Sequence, residues 1–340
     1  MLLRDAGEFG FIERISALVA QAGDDPRVVL GIGDDAALLD LGGRELLAVT
    51  TDAMLEGRHF RLDWLRPGEI GWRAAAGALS DLAAMGADPA AVFCSVGLPP
   101  DWPVEDADAL MEGIATSIGS TGAILAGGDL IASDRVLIDI MAIGQVPRGG
   151  QLTRGGARCG QLLAVTGALG APAAAVAMLN AGGREGLGEH GAVWRRFARP
   201  EPRIAAGRAI ATSGLASAAI DLSDGLVQDA GHIAERSNLR AVIEGERVPI
   251  ADGCLEIAEA LGEHALRWAL SGGEDFELLI AVDEARADAL RALPAINEIG
   301  LTVVGHLEEG EGVVALDALG DEIALPSGGW NHFGSPDSSS

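Results

Sequence analysis

The sequence predicts an α/β (α+β) fold of two domains, and three observations predict it. Its 340 residues are enough for two cores of ordinary size. Short apolar runs alternate with segments of helical spacing along the chain, the pattern of strands interleaved with helices. A Gly/Arg-rich stretch, Pro147-Arg148-Gly149-Gly150 with Thr153-Arg154-Gly155-Gly156, marks a boundary between the halves. The expected domains are residues 1–150 and 151–333, followed by a Ser-rich tail, 334–340, expected to be disordered.

Phe11, Ile12, Ile15, Leu18 and Val19 recur at helical spacing and predict an amphipathic helix from about Glu8 to Ala22. The turn Gly31-Ile32-Gly33-Asp34-Asp35 follows, then a strand through Leu46–Val49 ending at Thr50-Thr51-Asp52. Helical spacing resumes over Glu69–Met85 and stops at Gly86 and Pro89. A strand at Ala91–Leu98, a helix at Val104–Thr121 and strands at Ala123–Ala126 and Val136–Gly144 complete the first half. Gly127-Gly128-Asp129 reads as a turn closing the strand before it. In the second half, strands are expected at Leu162–Val165, at Ala219–Asp221 and through Val282. Helices are expected at Pro172–Leu179, Ile204–Ala211, Leu226–Ser237 and Glu284–Leu293, with Gly182–Gly191 as a glycine-rich loop.

All 24 cationic side chains are arginine, against 50 Asp and Glu, and there is no lysine and no tyrosine. Without lysine the chain can hold neither a P-loop nor the strand lysine of a protein kinase, and it can form no Schiff base. A net charge of −26 disfavours nucleic acid and anionic membranes as partners. Cys94, Cys159 and Cys254 are scattered and odd in number, which reads as reduced thiols. The first residues lack the apolar stretch of a signal peptide, so a cytoplasmic protein is expected.

What remains reactive is carboxylate. Asp34-Asp35, Asp52, Asp81, Asp129, Asp221 and Asp224 sit in separate turns, strand ends and helix faces, Asp52 directly after the hydroxyls of Thr50 and Thr51. Several have a structural reading: an Asx turn at Asp34-Asp35, a turn at Asp129, a helix cap at Ser223 or Asp224. Asp81 resists one, because it lies among the apolar residues of a helix where a carboxylate needs a partner. Oxygen-only donors suit Mg²⁺, and magnesium can neutralise a triphosphate where no ammonium group exists. Glycines at Gly31/Gly33, Gly127/Gly128 and Gly272/Gly273 would let backbone N–H groups approach phosphate, and Arg154 offers a planar fork of donors. His59 and Trp330 read equally as packing residues or as pocket walls.

Set in order, Gly31-Ile32-Gly33-Asp34-Asp35-Ala36, Thr50-Thr51-Asp52, His59-Phe60, Leu79-Ser80-Asp81-Leu82-Ala83-Ala84-Met85-Gly86-Ala87-Asp88-Pro89, Gly127-Gly128-Asp129, Leu152-Thr153-Arg154, Ile220-Asp221-Leu222-Ser223-Asp224-Gly225, Leu270-Ser271-Gly272-Gly273-Glu274-Asp275 and Trp330-Asn331-His332-Phe333 resemble the thiamine-monophosphate kinase family. The resemblance runs from Gly7 to Phe333. It implies an aminoimidazole-ribonucleotide-synthetase-like fold, a homodimer, and magnesium-dependent transfer from ATP to thiamine monophosphate. It further implies Asp35, Thr50, Thr51, Asp52, Asp81, Asp129, Asp221 and Asp224 as magnesium ligands. Gly128, Asp129, Arg154 and Ser223 would contact ATP; His59, Glu274 and Trp330 would contact the acceptor. Family members often place a tyrosine near the nucleotide, and this chain has none. The acceptor, a phosphate monoester with a second pKa of about 6, is largely ionised at neutral pH and needs no general base. Direct in-line transfer is therefore expected, with Arg154, Asp52 and Asp129 acting electrostatically and no acid–base residue. Rival readings are another ATP-using enzyme of the superfamily (aminoimidazole ribonucleotide synthetase, selenophosphate synthetase or the hydrogenase-maturation dehydratase) and a non-catalytic ATP–magnesium sensor. The lack of a cysteine near either end counts against the last two enzymes.

Overall fold

A computed structural model describes residues 3–20, 25–184 and 190–324. The first half contains α1 (Leu3–Ala20), β1 (Val28–Leu30), β2 (Ala37–Leu39), β3 (Glu45–Leu55), α2 (Pro67–Ala84), β4 (Asp88–Leu98), α3 (Val104–Ser120), β5 (Ile124–Ala132) and β6 (Leu137–Pro147). The second contains β7 (Leu162–Thr166), α4 (Ala171–Gly182), α5 (Gly191–Ala198), α6 (Ile204–Ser213), β8 (Ala216–Asp221), α7 (Leu226–Ser237) and β9 (Arg240–Glu244). It continues through α8 (Cys254–Leu261), α9 (Ala265–Ser271), β10 (Leu278–Val282), α10 (Glu284–Arg291), α11 (Pro294–Ile299), β11 (Leu301–Glu308) and β12 (Gly312–Leu316).

The strands form two six-stranded mixed sheets, ordered β1-β2-β3-β6-β4-β5 and β12-β9-β11-β7-β10-β8. In the first sheet only β4 and β5 run parallel, and in the second only β12 and β9. Antiparallel neighbours with one covered face explain the alternation along β6, whose Ile138, Ile140 and Ala142 are buried between half-exposed residues. The central strands β7 and β10 are apolar almost throughout because both faces are buried: Leu278, Ile280 and Val282 enter one hydrophobic core, and Leu279 and Ala281 enter the other with Leu163 and Val165.

Helix α2 lies between the two sheets. It packs on β3, β6 and α3 in the first half and on α5, α6 and β8 in the second. Small residues permit these approaches: a Cβ on Gly113 of α3 would lie 2.1 Å from the Gly68 carbonyl oxygen, and one on Gly207 of α6 would lie 2.0 Å from that of Ala83.

The structure differs from the sequence expectations at four places. Strand β3 does not end at Thr50–Asp52 but pairs with β6 as far as Leu55, so these residues stand in mid-strand with alternating orientation. Gly127-Gly128-Asp129 is no turn; β5 runs through it to Ala132. Glycine is needed there for approach to β4, since a Cβ on Gly128 would lie 1.8 Å from the Cys94 carbonyl oxygen. Helix α1 begins earlier than expected, is interrupted at Gly7, and leaves Leu18 and Val19 exposed. The expected loop Gly182–Gly191 narrows, α5 beginning at Gly191, with residues 185–189 outside those described.

Candidate active site

One face of α2 carries Arg73, Gly77, Ser80 and Asp81: Gly77 follows Arg73 by four, and Ser80 and Asp81 follow Gly77 by three and four, the spacings that bring side chains to the same side of a helix. Each meets a different strand or loop. Ser80 Oγ donates to Asp221 Oδ2 at 2.6 Å, reaching from the first half of the chain to the end of β8 in the second. Asp81 Oδ2 accepts from Thr50 Oγ1 of β3 at 2.6 Å. Asp35, in the turn after β1, completes the group: one oxygen from each of Asp35, Asp81 and Asp221 lies within 4.8 Å of the others. Arg154 grips Asp35 Oδ1 with Nε at 3.1 Å and Nη2 at 2.6 Å. Neighbouring Asp34 instead accepts from the backbone N–H groups of Asp35 and Arg154, fixing the turn.

Three carboxylates this close and this enclosed resist ionisation. Burial, with the nearby charges of Asp221 and Asp34 against the opposing Arg154, pushes Asp35 up to about 8. Burial followed by Asp221 and Asp35 holds Asp81 well above the usual carboxylate range. Asp221 is raised by burial despite the Ser80 hydrogen bond. Asp52 is pushed up to about 6 by burial and then by Glu274 and Asp221. Asp35 Oδ2 is buried without a hydrogen-bond partner. An oxygen-only donor set with an unpartnered buried oxygen and mutual repulsion fits a hard divalent cation such as Mg²⁺.

The other expected residues fall in several places. Asp52 points to the same side of β3 as Thr50, under Gly77 of α2, whereas Thr51 points to the opposite, exposed side. Asp224 stands at the start of α7 with Asp229 and His232, one donor atom from each lying within 4.8 Å of the others. Asp229 Oδ2 accepts from the Asp224 and Gly225 N–H groups. The Ser223 carbonyl accepts from Glu274 N–H at 2.9 Å, so the turns at 223 and 274 lie side by side. His59 Nδ1 accepts from Leu55 N–H just beyond β3. Gly128 and Asp129 are exposed on β5, which β6 and β4 separate from β3. In cross-strand register Asp129 lies opposite Ser95, which lies opposite Asp139 and so Ala53, about 14 Å from β3 at ordinary strand spacing. A single chain therefore leaves Asp129 outside the group around Asp81. Trp330 lies outside the described residues.

Sequence reasoning missed Arg73, Gly77, Ser80 and Asp229. The signal for the first three was present: they share a helical stripe with Asp81.

Comparisons with known proteins agree with this architecture. Residues 33–146 match the family model of the AIR synthase related protein, N-terminal domain, and residues 158–317 match that of the C-terminal domain. The thiamine-monophosphate kinase of Mycobacterium tuberculosis strain H37Rv is 36% identical over 337 residues, covering 98% of this chain and 94% of its relative. That of Escherichia coli K12 is 37% identical over 335 residues, covering 97% and 99%. A solved structure described as AaThiL complexed with AMPPCP and TMP superposes with a TM-score of 0.85 at 30% identity, covering 98% of this chain and 99% of that one. Two AIR-synthase-type domains in order, and more than a third of residues shared with kinases along nearly their whole length, establish that the chain belongs to the thiamine-monophosphate kinase family.

Proposed function

We propose that this protein transfers the γ-phosphoryl group of ATP to the phosphate of thiamine monophosphate, giving thiamine diphosphate. The observation that carries the reading is the convergence of Asp35, Asp81 and Asp221 from three separate segments onto one point. Asp35, Asp81 and Asp221 would hold magnesium, with Thr50, Asp52 and Asp224 beside them. Bound magnesium would supply the positive charge that an acidic, lysine-free chain needs to accept a triphosphate.

The protein's own groups then do the rest. Arg154, free to exchange Asp35 for a phosphate oxygen, stabilises charge on the moving phosphoryl group. Ser223 lies on the nucleotide side, and Glu274 and His59 on the acceptor side. No general base is required, because the acceptor oxygen is already ionised at neutral pH. An acceptor that arrives ionised needs no activated nucleophile on the protein, which supports direct in-line transfer without a phosphoenzyme.

We assign a homodimer as the working form. All nine residues of the sheet-edge strand β5 are exposed in one chain, including Ile124, Leu130 and Ile131. A second copy covering this edge would carry Gly128 and Asp129 to the partner's magnesium and nucleotide. The domain division stays at 150/151, the first domain carrying the dimer contact. Three scattered cysteines with no CxxC pair read as reduced thiols, which supports the cytoplasm as its compartment. Among the described residues no helix is long and apolar enough to cross a membrane.

The test is incubation with thiamine monophosphate, ATP and Mg²⁺, followed by chromatography. Thiamine diphosphate is the expected product, formed only with the metal. ATP hydrolysis or tight ATP binding without it would overturn the assignment. Labelled ATP in a single turnover should leave no radioactivity on the protein.

A further inference from the structure

Among the described residues Arg73 is the largest fully buried side chain, only 1% exposed. Its Nη2 donates to Glu274 Oε2 at 2.5 Å, its Nη1 donates to the Phe197 carbonyl, and its guanidinium lies 4.4 Å above the Phe197 ring. Its Nε is buried without a hydrogen-bond partner. A guanidinium so enclosed requires a carboxylate opposite it, and a planar fork fixes where that carboxylate sits. Glu274 is held from the other side too. Its backbone is left-handed, at φ 64°, and its N–H donates to the Ser223 carbonyl. A Cβ on preceding Gly273 would lie 2.4 Å from that same oxygen. Yet the Glu274 side chain remains 37% exposed, so only part of it faces Arg73. Phe276, two residues on, meets the same point of α2 as Asp52: a Cβ on Gly77 would lie 3.8 Å from Phe276 Cζ and 2.4 Å from Asp52 Oδ2. The Glu274 segment thus borders the acidic group without belonging to it.

We propose that Arg73 is a positioning residue that holds the Glu274 carboxylate at the rim of the site, where it meets the cationic ring of the acceptor. This rests on the function proposed above. A phosphate ester bearing a quaternary ring nitrogen is recognised at both ends by such an arrangement: metal at its phosphate, a fixed carboxylate at its cation. Arg73 touches no reacting atom, so its loss changes acceptor affinity and not the chemical step.

The test is steady-state kinetics on the full-length protein carrying Arg73→Met, Arg73→Lys, Glu274→Gln or Arg73→Met with Glu274→Gln. Arg73→Met is expected to raise KM for thiamine monophosphate by about tenfold, with kcat within about threefold and KM for ATP unchanged. Arg73→Lys keeps the charge without the fork and is expected to recover part of the loss, leaving KM raised about threefold. The double variant should be no worse than Glu274→Gln alone, because the two act as one unit. A fall in melting temperature or kcat with KM unmoved would make Arg73 merely structural and overturn the proposal. Should Arg73→Met fail to fold, Arg73→Lys decides alone: a wild-type KM overturns it. If the unmodified protein makes no thiamine diphosphate, the assigned function has failed; turnover with unmoved KM values overturns only the role of Arg73.

Discussion

A methyl group added at Gly77 would strike Asp52 Oδ2, 2.4 Å from the position its Cβ would take. The helix itself gains, since Ala is favoured over Gly by roughly 1 kcal/mol in a helix interior. What must yield is the carboxylate, the movable end of the contact. Gly77→Ala is therefore expected to melt within a few degrees of the unmodified protein while kcat/KM falls by about tenfold or more. Thermal melts alongside steady-state kinetics check both, and an unchanged kcat/KM would show that the position of Asp52 is immaterial. At this scale the sequence is only half legible. Asp34 and Asp35 are adjacent in one turn, and nothing in their spacing says which enters the group. The answer comes from Arg154, over a hundred residues away, whose N–H takes Asp34 and whose guanidinium takes Asp35.

Helices obey local rules, and their packing can be tested at the elements' closest approach. Gly113→Ala would place a Cβ 2.1 Å from the Gly68 backbone carbonyl, where α3 crosses α2 and neither side can swing away. Overpacking of this kind costs about 1–3 kcal/mol, which urea unfolding would read as a lower midpoint with an unchanged slope. The start of α4 carries a pH dependence. Asp275 accepts from Gly170 N–H at 3.0 Å, and burial holds it well above its ordinary value of 3.8 despite that hydrogen bond. From about pH 4 upward the folded chain keeps a proton there that the unfolded chain has lost, so stability falls as pH rises. Asp275→Asn removes that contribution. The variant should gain on the unmodified protein between pH 5 and pH 8 in urea midpoints, and a constant difference would contradict the sign. Helices α2, α3 and α7 were readable nearly to the residue, because proline, glycine and acidic first turns mark their ends. The short elements β9, β11, β12, α8, α9 and α11 were not. Runs of five to eight residues carry too little periodicity, and partners distant in sequence decide their state, as β9 does for β12.

For the whole molecule, the convergence of Asp35, Asp81 and Asp221 depends on α2 being clasped between two sheets, a property of topology that no local pattern encodes. Only the ordered series of motifs made it readable beforehand. The same topology puts Asp129 about 14 Å away across the first sheet, too far for one chain to bring it to Asp52. If a second copy covers β5, each catalytic centre takes Asp81 from one chain and Asp129 from the other. Asp81→Asn and Asp129→Asn should each abolish turnover as homodimers, since every centre then carries one lesion. Mixed after subunit exchange in mild denaturant, half of the dimers pair one variant with the other. In such a pair one centre carries both lesions and its twin carries neither. Activity should therefore return to about a quarter of the unmodified level, as random pairing under twofold symmetry requires. If Asp129 served its own chain, every centre in the mixture would still be damaged and turnover would stay at zero. Sedimentation velocity on the same samples would show whether both variants still pair, which separates a lost dimer from a lost ligand.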